Sequence, residues 1–144
     1  MGKLSRPKGA AFERLVVHLF CHAGLPAKRG YWQARGAKGE TSEVVVEGAP
    51  LWVECHHGRL PGTEKLDQAI RDRFAGQLAV AVTRRTGSRR IEATMRLGEL
   101  VALISGSCDP EFVADHPQPV TLDLKDWLPL ALAWYERGKA DAAR

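Results

Sequence analysis

An α/β domain built on a mixed β-sheet is what this sequence predicts, and three observations predict it. Phe12, Leu15, Val16, Leu19 and Phe20 recur at the spacing of one apolar helical stripe. Two apolar runs, Val44-Val45-Val46 and Leu51-Trp52-Val53, flank Gly48-Ala49 as the arms of a hairpin would. A third run, Leu78 to Val82, is apolar on both faces and reads as an interior strand. The coarse order is helix, three strands, helix, strand, strand, helix and a tail.

The first helix is expected from about Pro7 to Ala23, with Ser5 as its cap and Gly24 as its stop. Glu13 lies at the edge of its stripe, aligned with Val16, Val17 and Phe20, and so faces the core boundary. A strand over Ala27 to Gln33 and a positive, glycine-bearing loop, Ala34 to Gly39, come next. After the hairpin and the turn-rich Gly58 to Gly62, a second helix runs from about Thr63 to Ala75. Thr63 is its expected cap, Gly76 its stop, and Leu66, Ala69, Ile70 and Phe74 its buried face. Strand Leu78 to Val82 leads through an arginine-rich turn, Arg84 to Arg90, into strand Ile91 to Met95 and a short helix, Leu97 to Ile104.

Residues 1–106 form the expected core domain. Residues 107–144 form a C-terminal extension, packed on the core or at a dimer interface. It carries a strand near Val120 to Leu124 and a helix capped by Asp126, with Pro129 in its first turn and Gly138 at its end. Trp127, Leu130, Ala131 and Trp134 give that helix an aromatic stripe that closes the core or joins two subunits.

At 144 residues, with 44% hydrophobic and 26% charged content, the chain suits one globular domain. No apolar run approaches the roughly 18 residues of a membrane span, and no secretory signal is expected. Three widely spaced cysteines, Cys21, Cys55 and Cys108, fit reduced thiols in a cytoplasm better than a disulfide framework. The net charge of +4 is unevenly spread. Residues 1–39 hold eight Lys/Arg and one acid, whereas residues 107–144 hold four basic and seven acidic residues. The N-terminal region is therefore the candidate polyanion-facing surface.

The hairpin carries the chemistry. With Gly48-Ala49 as a two-residue turn, Glu47 meets Pro50 and Glu43 falls opposite Glu54. Facing carboxylates repel by up to about 1 kcal/mol, a cost that a divalent cation removes. Both acids interrupt very apolar strands, as at a buried sheet opening into a cleft. His56, two residues after Glu54 on the same strand face, is able to bind or move a proton. Solvated glutamates on an edge hairpin are the plain alternative. His18 and His22 stand at a metal-pair spacing without acidic partners nearby in sequence. Arg84, Arg85, Arg89 and Arg90 form either a solvated turn or a set of phosphate contacts.

In this order and spacing the chain resembles the PD-(D/E)xK nuclease superfamily, and within it the archaeal-type Holliday-junction resolvases and their phage relatives. Four segments carry the resemblance: Lys8-Gly9-Ala10-Ala11-Phe12-Glu13-Arg14, Ser42-Glu43-Val44-Val45-Val46, Trp52-Val53-Glu54-Cys55-His56 and Leu66-Asp67-Gln68-Ala69. They span about Lys8 to Ile104. The resemblance implies a restriction-endonuclease-like sheet flanked by helices, a homodimer, and cleavage of four-way junctions or other branched DNA. It implies Mg²⁺ or Mn²⁺ held by Glu43, Glu54 and the Cys55 backbone carbonyl. Glu13, His56 and Gln68 join Glu43 and Glu54 as candidate catalytic residues, and Lys8, Arg35, Lys38, Arg84, Arg85, Arg89 and Arg90 as DNA contacts.

Two positions depart from the family pattern. Glu43 replaces an aspartate, and His56 replaces the lysine. A mostly neutral histidine acts as a base or binds metal itself. Arg59 is a candidate replacement cation. The change at His56 also leaves a second reading, a branched-DNA-binding protein with a decayed nuclease site. A third is a superfamily nuclease acting on duplex ends or flaps.

Overall fold

The computed structural model describes residues 2–30 and 42–144. Helix α1 (Gly2–Ala23) leads into strand β1 (Ala27–Arg29), and the hairpin strands are β2 (Val44–Val46) and β3 (Leu51–Gly58). Then come α2 (Gly62–Asp72), β4 (Leu78–Arg85), β5 (Ile91–Arg96), α3 (Leu97–Ser105), α4 (Pro110–Asp115), β6 (Pro119–Asp123) and α5 (Leu124–Ala142). The six strands form one mixed sheet in sequence order, so the α/β expectation holds. Among the described strands only β3 and β4 run parallel, and α2 is the crossover such a pair requires.

The sheet is covered on both faces. Phe12, Val16 and Phe20 of α1 and Leu124, Trp127, Leu128 and Ala131 of α5 cover one face, against Val53, Val80, Val82 and Met95. On the other face Leu66 and Ala69 of α2 pack on Trp52, Ala79 and Ala81. Burial on both sides explains why β4 is apolar throughout. Residues 107–144 supply the edge strand β6, paired with β5, and the core residues of α5. The Trp127 indole donates to Met95 Sδ at 3.1 Å inside that core. No described helix is long and apolar enough to cross a membrane.

Several expected boundaries are corrected. Helix α1 begins at Gly2, so Ser5 lies within it rather than capping it. Helix α2 starts at Gly62 after Pro61, without a side-chain cap, and Thr63 lies inside it. A glycine is needed there because a Cβ at residue 62 would stand 2.5 Å from Thr94 Oγ1. The helix ends at Asp72, because the extended Arg73 is drawn away to Gln77 O and the buried Glu99 carboxylate. Phe74 is therefore 55% exposed rather than buried, although its ring still meets Trp52 edge-on. Helix α5 starts at Leu124, which places Asp126 in its first turn and Pro129 in its interior, and it runs past Gly138. Burial of Leu124 and Trp127 fixes that early start. Helix α4 had no sequence expectation. The second half of the expected strand to Gln33, and the loop Ala34 to Gly39, lie outside the described residues.

Candidate active site

The β2–β3 hairpin brings Glu43, Glu54 and His56 to one end of the sheet. Val44 pairs with Val53, so the next step sets Glu43 opposite Glu54, in the expected register. The reversal itself is shifted by one residue. Ala49 N–H donates to Val46 O, which centres the turn on Glu47 and Gly48, where Gly48 takes a φ of 76°.

Strand alternation places Trp52, Glu54 and His56 on the face that α2 covers. Leu51, Val53 and Cys55 face α1 instead. The Cys55 thiol is thus buried on the far side from Glu54, and burial pushes it well above the usual thiol range. That suits packing and removes it as a nucleophile.

Glu43 stands where the β2–β3 ladder stops. Its backbone carbonyl accepts from Gly30 N–H at 2.9 Å. Its side-chain Oε2 accepts from the Cys55 N–H at 2.5 Å, so a carboxylate takes the place of a strand carbonyl. Burial, reinforced by the neighbouring Glu54 charge, pushes Glu43 up to about 8, against the opposing pull of the Cys55 N–H. Glu54 is only 3% exposed and accepts the Trp52 indole N–H at 2.9 Å. Burial raises it too, opposed by that indole and by the positive charge of Lys65.

Glu13 reaches the site's edge from α1. It is buried, and Arg29 of β1 donates to its Oε2 from Nε at 3.0 Å and Nη2 at 2.8 Å. The acid is thereby paired, yet its charge still contributes to the rise at both Glu43 and Glu54. His56 is half-buried, and its Nε2 is enclosed without a hydrogen-bond partner among the described residues. The ring lies over Gly58, where a Cβ would stand 2.6 Å from Nε2. Burial, together with the charges of Lys65, His57 and Lys8, holds His56 below 6.5 and hence neutral at pH 7. Gln68 of α2 is half-buried and accepts from Lys65 Nζ at 2.9 Å. Arg59 is exposed.

No family model, curated protein or solved structure matches the chain. The site therefore rests on its own geometry. Among the described residues no three His, Cys, Asp or Glu side chains converge as a metal-holding group. The donors that do meet are oxygens: the carboxylates of half-buried Glu43 and buried Glu54, both raised by desolvation, beside the main chain of Cys55. An all-oxygen set suits a hard ion such as Mg²⁺ or Mn²⁺, and a divalent charge relieves two facing, desolvated acids.

The expected DNA contacts divide into three groups. Arg85 and Arg89 are exposed. Lys8, Arg84 and Arg90 are already engaged: Lys8 Nζ with Thr86 Oγ1 at 3.2 Å, Arg84 Nε with Ser88 O at 2.6 Å, and Arg90 in an ion pair with Asp123. Arg35 and Lys38 lie outside the described residues. Thr86 N–H donates to Gly58 O at 3.0 Å, which holds the arginine turn beside the end of β3 that follows His56. His18 and His22 stack at 6.3 Å on the exposed side of α1.

Sequence reasoning missed three side chains that act on these acids: Trp52, Arg29 and Lys65. Trp52 was legible from strand alternation, two residues before Glu54 on one face. Lys65 stands one helical turn before Gln68, a spacing that puts the two side chains together. Nothing in the sequence near Arg29 points to Glu13.

Proposed function

We propose that the chain is a metal-dependent endodeoxyribonuclease acting on branched DNA, with four-way junctions as its leading substrate. The observation that carries the reading is the carboxylate pair of half-buried Glu43 and buried Glu54, facing each other where strand pairing ends, with His56 next on the same face. Glu43, Glu54 and the Cys55 carbonyl would hold Mg²⁺ or Mn²⁺. Bound there, the ion would polarise the scissile phosphate and acidify the attacking water.

The chain's own part is to orient and to move a proton. His56, neutral at pH 7, accepts the proton of the attacking water. The water oxygen bonds to phosphorus as one P–O ester bond breaks, and the departing alkoxide takes a proton from solvent. Arg85 and Arg89, beside the end of β3, meet the backbone phosphates on either side. A homodimer would present two such sites to the two strands a four-way junction offers for symmetric cleavage.

One observation favours the second reading, a branched-DNA-binding protein without cleavage. Glu13, Glu43 and Glu54 each already accept a hydrogen bond, from Arg29, Cys55 N–H and Trp52 respectively. Incubation with a labelled four-way junction, a flap and linear duplex, each with Mg²⁺, Mn²⁺ or EDTA, separates the two. Paired, metal-dependent cuts confined to the junction, lost in Glu54→Gln while junction binding persists, are the expected result. Tight junction binding without cuts in either metal would sink the nuclease reading, and cuts on flap or duplex alone would replace its substrate.

A further inference from the structure

The acid pair lacks a fixed cation on its own strand. The position two residues after Glu54 holds His56, which is neutral, and Arg59 just beyond is exposed. The described residues offer one at the same face from another element. Leu66 and Ala69 are buried against Trp52, Ala79 and Ala81, and this contact sets the rotation of α2. Lys65 adjoins Leu66, and Ala69 is one turn further on, so Lys65 flanks that contact on the sheet face that carries Glu54 and His56. It is half-buried, and its Nζ is held at 2.9 Å by Gln68 Oε1. The pull of its charge is felt at Glu43, Glu54 and His56 alike.

We infer that Lys65, braced by Gln68, supplies the fixed positive charge of this site to the scissile phosphate, a charge that β3 does not carry. The inference rests on the nuclease reading and assigns it one further residue. Attack on a phosphodiester concentrates negative charge on the non-bridging oxygens. An ammonium presented from a rigid helix stabilises that charge more than it stabilises the bound substrate, which is the condition for raising turnover. Gln68 accepts one of the three ammonium N–H groups and leaves two for phosphate oxygens. Its role is thus to position Lys65.

The test compares the parent with Lys65→Met, Lys65→Arg and Gln68→Ala. Each is read three ways: single-turnover cleavage of the junction at saturating Mn²⁺, Mn²⁺ affinity by titration without DNA, and junction affinity in EDTA. Lys65→Met is expected to cut about a hundredfold more slowly. Its Mn²⁺ binding should hold or tighten, because a cation that repels the metal is gone. Junction affinity should change little, since most phosphate contacts lie elsewhere. Lys65→Arg should retain more activity than Lys65→Met, and Gln68→Ala should fall between the parent and Lys65→Met. A parent that cuts while Lys65→Met matches it overturns the assignment of Lys65 alone. Loss of Mn²⁺ binding in step with the rate would make Lys65 structural and overturn it as well. A parent that cuts no substrate removes the nuclease reading and this inference with it.

Discussion

Glu43→Gln should stabilise the metal-free protein while abolishing its activity, and both effects have one origin. Burial and the facing Glu54 push the Glu43 carboxyl from 4.5 up to about 8. In the unfolded chain it returns to its solvent value. Between those two pH values the folded protein therefore holds a proton that the unfolded chain has released. Stability from this group is fully present below the unfolded value and is lost as pH rises towards the folded one. At about pH 8 the loss amounts to ~4 kcal/mol, from about 1.36 kcal/mol per pH unit of separation. That is a large share of the 5–15 kcal/mol typical of a domain.

Glutamine removes the titration and keeps an oxygen for the Cys55 N–H. Urea unfolding in EDTA of parent and variant, at about pH 5 and about pH 8, measures the difference. The variant should gain less than about 1 kcal/mol at the lower pH and a few kcal/mol at the higher. Added Mn²⁺ should stabilise the parent, since it binds the folded state alone, and should do little for the variant. A variant less stable than the parent at about pH 8 in EDTA, or a gap equal at both pH values, would refute the reasoning.

Two further outcomes follow from the same geometry. At saturating Mn²⁺, which takes the Glu43 titration out of the profile, cleavage should fall as pH drops through a value below 6.5, where His56 gains its proton. His56→Ala should be slow at every pH with that limb flattened, and a limb of unchanged position and height would remove His56 as the base. Replacing Arg85 and Arg89 with alanine should weaken binding to all DNA shapes and reduce the slope of log affinity against log salt by about 1–2, whereas an unchanged slope would take that turn off the DNA surface.

The parts of the fold legible in the sequence are those where periodicity and burial agree. Phe12, Val16 and Phe20 announce α1, the two-sided apolar run announces β4, and the hairpin register follows from counting across Gly48. Element ends were less legible, because tertiary contacts decide them. Arg73 leaves α2 for Glu99, a carboxylate 26 residues further along the chain and buried where its acidity gave no hint. Gly138 marks a plausible stop, yet α5 runs through it, at a cost of about 1 kcal/mol relative to alanine. The site shows the same division. Glu43, Glu54 and His56 share one hairpin and are brought together by local pairing. Arg29 and Lys65 come from other elements, and only the packed sheet sets them beside the acids.

The extra methylene of Glu43 has a structural use. The ladder between β2 and β3 ends at Val44 and Val53, which leaves the Cys55 N–H without a strand carbonyl to meet. Ser42 does not serve it, since its hydroxyl turns to Val44 O at 2.5 Å. A buried N–H left unpaired costs about 1–3 kcal/mol. The Glu43 carboxylate reaches that donor, and an aspartate on the same Cα would fall one methylene short. The residue is thus tied to the main chain of the strand that carries Glu54, and the two acids are held as neighbours. Such a tie fixes the spacing of the pair before any ion arrives. Its consequence is that Glu43 is both the end of the sheet and the beginning of the site, so substitution there is expected to register in stability and in chemistry together.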